Sequence, residues 1–518
     1  MRRRISRISL IAVIVIVAVC VCAGVAIHAV RHADEKLAGQ RDFNLYTLVP
    51  RDATVVVETD CMGKLIQDID RMPCSQDGYY LYVSDLFVLL KAYYYTLVER
   101  APHGLSHQMN RMLLSFHEPD SPRSQVLYCN LGPGDLEMMQ TFVGQFISND
   151  RLPQSSRYQG VTLHEYPMAD GGTLTAYYTS RFLVISLERS LVEAVVDAHR
   201  THQSLMQWPN FQSMHPVREL GSQATVFVRM KSVDMGQEPA EEEGAHRHRR
   251  LPPVGSWAEF SLRLSGEGIY CSGLSHELDT VHTFIGMLSQ QEPLVDFPGD
   301  RLPSTTFFCN HIALTDREAL RDFAYSVDSV GVVPALGTDS VAEPWLDLVL
   351  ELADGELLTC LFFSPDEREA QPQAVLSMPV SDERLAQERL RALQAGRPSG
   401  MLTGRYPYAR VYRGQLLMAS SERGLSAYVD RVERGDVLGD VPLCQETLAK
   451  LSPAYHFLMM ADMEAVSQWS VGPYVRTIPA LFFRHAKFFR HFLVAVQMTT
   501  SEGAVFPNLV LVYKREGL

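Results

Sequence analysis

The sequence lacks the short motifs by which several large enzyme families are recognised. It contains no Gly-x-Ser-x-Gly, no phosphate-binding loop that ends in Gly-Lys-Ser or Gly-Lys-Thr, and no Gly-x-Gly-x-x-Gly. The His-Glu dipeptides that begin at His117, His164 and His276 lack the second histidine that a zinc-peptidase helix needs one turn later. We therefore assign no catalytic residue and expect no cofactor.

Cysteine is scarce, and no Cys-x-x-Cys occurs, which removes support for zinc ribbons and for thioredoxin-like redox chemistry. Of the nine cysteines, Cys20 and Cys22 lie in the apolar N-terminal stretch and the other seven lie beyond it. Most of these seven sit in apolar strand-like runs, where a free thiol behaves as a small hydrophobe. Cys61 and Cys74 are the only two close enough in sequence to suggest a local disulfide.

Charged residues make up only 21% of the chain, and the formal net charge is −13. Without the six basic and two acidic residues of the first 36, the remainder is near −17, with both signs interspersed. This balance argues against nucleic acid as a partner, because a polyanion would be repelled at long range. With 46% hydrophobic residues the chain can bury a large core.

One long stretch without formal charge runs from Ile8 to Val30, which is long enough for a helix to cross a bilayer. Four arginines precede it, whereas Arg31 and Lys36 follow it beside two acidic residues. The positive-inside rule then predicts a cytoplasmic tail at residues 1–7, a transmembrane helix at 8–30 and a linker at 31–42. The rest of the chain is expected on the periplasmic or extracellular side of the cell membrane.

Two alternatives remain for this stretch. A signal peptide could be cleaved before Gly24, after the small residues around Cys22, although the apolar run continues well beyond that point. Cys20 or Cys22 could instead carry a lipid, but each follows a branched valine where lipoprotein signals prefer a small residue.

Beyond the anchor, short β-branched and aromatic runs alternate with helical patterns, which is typical of an α+β fold with mainly antiparallel sheets. The pattern occurs twice in the same order, which predicts a tandem duplication. The matched segments are 50–58 with 303–309, 126–131 and its helix 135–146 with 375–380 and its helix 382–394, 177–196 with 411–429, 224–230 with 455–461, and the hairpins 257–275 with 492–514. Ser186 and Ser420 are candidate N-caps of the helices that follow the third pair.

We predict a first half at residues 43–290 and a second half at 291–518, joined by a linker near residues 290–302. Residues 236–254 read as an acidic block followed by a basic one and are expected to form a mobile loop. The layout, together with Leu48-Val-Pro-Arg-Asp-Ala-Thr-Val-Val-Val after the anchor, resembles uncharacterised single-pass envelope proteins of Bacteroidetes-type bacteria. That resemblance implies an inner-membrane protein that faces the periplasm.

Two histidine pairs have a spacing that could serve a metal ion. His103 and His107 are one helical turn apart, but Gly104 weakens the helix and no third ligand follows. His246 and His248 alternate with arginines that would repel a cation. We therefore predict no metal site.

The segment from Leu481 to Phe492 is the most distinctive part of the second half. On a helix, its phenylalanines gather on one side and its basic residues on the other. The pattern indicates either a contact surface for a membrane or partner, or a core helix with a solvated basic face. The candidate interaction residues are Phe482, Arg484, Lys487, Phe488 and Arg490.

These features favour a non-enzymatic ectodomain that serves in interaction, assembly or ligand binding, with another envelope protein as the expected partner. The alternative is an envelope hydrolase with its site in a cleft between the two halves. A sensor would need a second membrane subunit, because the predicted cytoplasmic tail is too short to carry an output domain.

Overall fold

The computed structural model describes most of the chain beyond the linker. The described residues are 43–73, 91, 112–118, 121, 123–131, 154–168, 172–212, 221–230, 256–276, 282–326, 344–364, 371–395, 406–469, 475, 477–501 and 504–514. The predicted anchor at 8–30, the loop at 236–254, the helix at 135–146 and both histidine pairs lie outside them. Among the described residues no helix is long and apolar enough to cross a membrane.

The first half contains ten described strands and four helices, preceded by a 3-10 helix at Leu45–Thr47. In chain order they are β1 (Val55–Thr59), α1 (Met62–Arg71), β2 (Met112–Phe116), β3 (Gln125–Asn130), β4 (Gln154–Tyr158), β5 (Val161–Pro167), β6 (Thr173–Tyr178), β7 (Phe182–Ser186), α2 (Arg189–Thr201), α3 (Pro209–Gln212), β8 (Ala224–Arg229), β9 (Trp257–Ser265), β10 (Gly268–His276) and α4 (Phe284–Leu288). A second 3-10 helix, Leu205–Gln207, lies between α2 and α3.

The second half repeats this alternation of strands and helices. Its elements are β11 (Leu294–Val295), β12 (Thr306–Leu314), α5 (Arg317–Ser326), α6 (Pro344–Leu352), β13 (Gly355–Phe363), β14 (Pro372–Pro379), α7 (Glu383–Gln394), β15 (Tyr408–Tyr412), β16 (Gln415–Ala419), α8 (Glu422–Glu433), α9 (Pro442–Leu448), β17 (Ala454–Tyr455), β18 (Phe457–Asp462), α10 (Met463–Gln468), α11 (Ala480–Arg484), α12 (Ala486–Phe489), β19 (Phe492–Ser501) and β20 (Ala504–Tyr513). Two more 3-10 helices are Gly299–Arg301 and Leu438–Asp440.

Eighteen of these strands form one sheet in which every neighbouring pair is antiparallel. The pairings give the order β4-β5-β6-β7-β3-β2-β1-β8-β9-β10-β20-β19-β18-β12-β13-β14-β16-β15. The short strands β11 and β17 pair separately. The predicted α+β class with mainly antiparallel pairing is therefore confirmed.

The two halves follow the same strand order. From its outer side to the centre of the sheet, the first half runs β6-β7-β3-β2-β1-β8-β9-β10, and the second half runs β15-β16-β14-β13-β12-β18-β19-β20. Isolated bridges recur at matching places, from Pro50 to Ser204 and from Pro303 to Val437. The hairpin β4–β5 extends the first half, whereas β15 is the outermost described strand of the second.

The halves meet at the ladder between β10 and β20, which we call the seam. Gly268 lies opposite Val512 and His276 lies opposite Ala504. Two glycines of β10 allow the strands to approach, because a Cβ on Gly268 would lie 2.1 Å from the backbone oxygen of Leu511, and one on Gly273 would lie 2.5 Å from that of Pro507. Any side chain larger than hydrogen at these positions would force the ladder to shift.

Helices cover both faces of the sheet. Because successive side chains of a strand point to opposite faces, each strand contributes residues to the cores on both sides. In β3, Leu127 and Cys129 enter one cluster of buried residues, whereas Val126 and Tyr128 enter another. The first cluster, the common core, is built from both halves and includes Leu65, Ile66, Leu127, Leu320, Phe323, Leu376, Leu390, Met463, Phe488 and Val494. It joins the halves into one packed unit.

The opposite face carries a separate core in each half. The first-half core packs α2 on the sheet and includes Val56, Leu113, Val126, Tyr128, Phe182, Val184, Val192, Val195 and Phe227. The second-half core packs α8 and α9 on the sheet and includes Cys309, Leu358, Cys360, Phe362, Val375, Leu417, Leu425, Tyr428 and Cys444.

Helix starts show how local sequence sets these elements. The helix predicted at 382–394 forms as α7, with the Asp382 carboxylate accepting the backbone N–H of Leu385 at 2.9 Å. The prediction of Ser420 as an N-cap was wrong by one residue, because Ser421 caps α8 and accepts from Gly424. Ser186 is not an N-cap either, since its hydroxyl donates to the Gln125 carbonyl and accepts from Glu188, the residue at the N-cap.

Candidate functional site

The predicted interaction segment forms two short helices rather than one. α11 ends at Arg484 and α12 begins at Ala486, with His485 between them in a conformation outside the helical region (φ −108°, ψ 36°). The break lets the rings of Phe482 and Phe489 meet with centroids 4.4 Å apart. The sequence pattern therefore predicted the amphipathic character of the segment but not its bend.

The aromatic side of this segment belongs to the protein interior. Phe482 and Phe488 are each only 5% exposed and are members of the common core. Phe488 also contacts Phe492, the first residue of β19, with ring centroids 5.3 Å apart. These rings are buried and hold the segment in place, so they are not available as contact residues for a membrane or a partner.

The basic side faces solvent, and Arg484, Lys487 and Arg490 are all exposed. Acidic groups lie close to one end of it, where Lys514 forms ion pairs at 2.8 Å with both Asp462 and Glu464. The pKa of the Glu464 carboxyl is lowered, mainly by its hydrogen bond to Lys514 and also by the charge of Arg490. We call Arg484, Lys487 and Arg490 the basic face; whether it binds a partner stays a prediction.

A buried polar chain lies in the second half, beside β12. Nε2 of His311 is 2.8 Å from a carboxylate oxygen of Glu356, and Nδ1 is 2.8 Å from the hydroxyl of Tyr455. The other carboxylate oxygen of Glu356 pairs with Arg301 at 2.6 Å. The chain thus runs from the half-buried Arg301 to the fully buried His311 and Tyr455.

The electrostatics of this chain have separate causes. Hydrogen bonds from His311 and Arg301 outweigh the opposing effect of burial and lower the pKa of Glu356 to about 2. Burial lowers the pKa of His311 and is only partly opposed by Glu356. A neutral His311 that donates from Nε2 to the Glu356 carboxylate leaves Nδ1 to accept from the Tyr455 hydroxyl. The same hydroxyl also lies 3.3 Å from the Asp296 carbonyl oxygen.

The first half contains a different polar chain at the start of β1. Asp52 lies 3.2 Å from Nδ1 of His117, and Nε2 of His117 lies 3.0 Å from the hydroxyl of Ser115, which is also 3.0 Å from the hydroxyl of Tyr128. The order carboxylate, imidazole, hydroxyl is that of a serine hydrolase. Ser115 and Tyr128 are both fully buried, so a substrate could not reach this hydroxyl in the folded protein.

Neither chain was foreseen from the sequence. In the sequence, His117 stands out only because Glu118 follows it. The residue that it contacts, Asp52, lies far away in the chain. His311 and Tyr455 are further apart still. Because these contacts depend on non-local strand pairing, no local sequence pattern predicts them.

Metal and disulfide chemistry gain no support from the described part of the chain. It contains no group of three or more histidine, cysteine or acidic residues arranged to hold a metal ion. Cys61 is exposed and unpaired. Cys74, which is close enough in sequence to suggest a disulfide with Cys61, lies outside the described residues. The predicted hydrolase cleft would have to lie between the halves, where the described residues form the seam and the common core.

Comparison of the chain with protein-family models, with curated protein sequences and with solved structures finds no match.

Proposed function

We propose that this chain is an envelope protein, anchored in the cell membrane by residues 8–30, whose ectodomain binds another envelope protein through its basic face. The observation that carries the proposal is the position of Arg484, Lys487 and Arg490. They are exposed on a short segment whose phenylalanines are fixed in the common core. A fixed backbone keeps three cations in one arrangement, so little ordering is needed when a partner binds.

The charge balance of the chain supports an acidic partner. The protein is acidic overall, with a net charge of −13, whereas this short segment carries three exposed cations, with the acidic Asp462 and Glu464 at one end. Charged groups at an interface mainly set orientation and association rate, and they favour a surface of opposite sign. A partner that presents carboxylates is the complementary choice.

We also propose that the two halves arose by duplication of one α+β unit. The shared strand order, the matching bridges of Pro50 and Pro303 and the register of the seam support this origin. Gly268 and Ala504 each begin the inner strand of their half, and each lies opposite the ninth residue of the other strand. Such reciprocal pairing is the pattern of an isologous contact between two copies.

The proposed function is tested by crosslinking the tagged full-length protein in its membrane and identifying by mass spectrometry whatever is recovered at near-stoichiometric yield. The variant Lys487→Glu/Arg490→Glu should lose that partner, because both cations would be replaced by charges that repel it. The matched control is Arg384→Glu/Arg391→Glu, which reverses two exposed arginines on α7. If both variants recover the same amount of the partner, the basic face is not the surface that binds it.

The predicted orientation has its own test. The ectodomain should be digested when protease is added to intact spheroplasts, and it should be protected when the same protease has access only to the cytoplasmic side. Protection in intact spheroplasts would place the ectodomain in the cytoplasm and would overturn the proposal of an envelope partner.

A further inference from the structure

A cluster of two arginines and one tryptophan lies at the end of the first half where β1 begins and β8 ends. The guanidinium carbons of Arg51 and Arg229 each lie 5.0 Å from the centre of the Trp208 ring. The two carbons are therefore no further apart than twice that distance. We call Arg51, Trp208 and Arg229 the arginine cluster.

The backbone around the cluster is held in place from several sides. The indole N–H of Trp208 donates to the Arg51 carbonyl at 3.3 Å, and the Arg229 N–H donates to the Thr54 carbonyl at 2.8 Å. The loops that carry Arg51 and Trp208 are joined by the N–H of Leu205, which donates to the Val49 carbonyl at 2.8 Å. The backbone positions from which the two arginine side chains extend are thus fixed.

Neither guanidinium is neutralised by a salt bridge within the described part of the chain. The charge of Arg229 acts on Asp52, whose pKa is lowered mainly by its hydrogen bond to His117 and only weakly by Arg229. Its carboxylate is thus already engaged by His117, at 3.2 Å. Two cations next to one ring would repel each other, so a bound anion would be stabilised between them.

The second half lacks the cluster at the corresponding places of its fold. The residue after the bridging proline is Arg51 in the first half and Ser304 in the second. The residue after the matching 3-10 helix is Trp208 in the first half and Val441 in the second. Asp462 ends β18 as Arg229 ends β8, and it pairs with Lys514. The fold itself therefore requires neither the arginines nor the tryptophan.

We propose that the arginine cluster binds a phosphate group. The rigid donor fork of a guanidinium matches the oxygens of a phosphate, and two forks together supply a charge equal to that of a phosphate dianion. One phosphate contacts both groups when the two guanidinium groups lie on the same side of the indole ring, because two N–H bonds of ordinary length then reach across a separation of no more than about 10 Å. The phosphate could belong to a soluble molecule or to a lipid headgroup.

The test is calorimetric titration of the full-length protein in detergent with inorganic phosphate and with glycerol 3-phosphate. Arg51→Gln and Arg229→Gln should each weaken binding about tenfold or more, because each removes a charge-assisted contact. Arg263→Gln is the matched control, since Arg263 is also exposed and also stacks on an aromatic ring, Tyr270, at 5.1 Å. The other cation on that ring is Lys450, at 5.9 Å, which lacks the guanidinium fork of a second arginine. The control variant should bind as the unaltered protein does.

Trp208 gives an independent readout, because a ligand at the cluster should change its fluorescence and Trp208→Phe should abolish that change. The same measurement in nanodiscs of phosphatidylcholine, with and without phosphatidic acid, separates the two sources. A signal with soluble phosphates assigns a soluble ligand, and one that requires phosphatidic acid assigns a headgroup. No Trp208-dependent signal from either source, or equal weakening by Arg263→Gln, would overturn the proposal.

Discussion

The two halves share a strand order but differ in the polar groups that they bury. Across β1 and β2 the first half pairs Val56 with Ser115, and at the corresponding place, across β12 and β13, the second half pairs Cys309 with Cys360. Ser115 connects to His117 and Tyr128, whereas the two thiols lie in an otherwise apolar core with Cys444. The apolar pattern of the strands is therefore what the two halves have in common, while individual buried polar groups are replaceable.

Substitution in the seam should have the largest effect on stability, because the seam joins the halves. Gly268→Ala should lower the free energy of unfolding by about 3 kcal/mol, since the added methyl would overlap the Leu511 backbone oxygen and overpack the ladder. Chemical denaturation of the full-length protein measures the change. Gly266→Ala is the control, because a Cβ there meets nothing within 4 Å. If both variants lost the same free energy of unfolding, the ladder would accommodate the methyl group of Gly268→Ala without destabilising the protein.

Glu356 tests the polar chain that only the second half contains. Glu356→Gln should cost about 2 kcal/mol at pH 7, because Arg301 and His311 lose a charged partner. The folded pKa of Glu356, about 2, lies below its ordinary value of 4.5, so this stability is present above pH 4.5 and is lost as the pH falls towards 2.

Denaturation curves of the two proteins should therefore converge in acid. The control is Glu351→Gln, since Glu351 forms an ion pair with Arg389 in which both side chains are largely exposed, and such pairs contribute little. A gap between Glu356→Gln and the unaltered protein that persists undiminished near pH 2 would contradict the assignment of Glu356 as the ionised partner.

Cys360→Ser should have the smallest effect on stability. It places serine, the residue found at position 115 in the first half, at the corresponding place of the second half. We expect a loss of about 1 kcal/mol, since the new hydroxyl would be buried without the histidine and tyrosine that Ser115 contacts. Thermal unfolding would detect it. The reciprocal Ser115→Ala should also destabilise, by leaving His117 and Tyr128 without their shared partner; a neutral result for both would show that neither core discriminates between hydroxyl and thiol.

Local elements could be predicted from the sequence, and distant contacts could not. The hairpins at 257–275 and 492–514 form as β9–β10 and β19–β20, and the basic and aromatic sides of the segment at 481–492 were separated correctly. In contrast, the seam joins the inner strands of the two halves, which lie far apart in the sequence, and its two glycines look like ordinary turn or strand residues in the sequence. The arginine cluster likewise draws on three distant segments, so only the folded chain brings it together.

The reciprocal register of β10 and β20 has a consequence for the strength of the seam. Two separate chains that met through one pair of strands would have to overcome the entropy of association, whereas here a short connection keeps the strands at a high effective concentration. The seam can therefore be weaker than the interface of a stable dimer and still remain closed. Cutting the chain between residues 277 and 281, before α4, would turn the seam and the common core between the halves into a bimolecular contact. Its dissociation constant would measure what the covalent connection contributes.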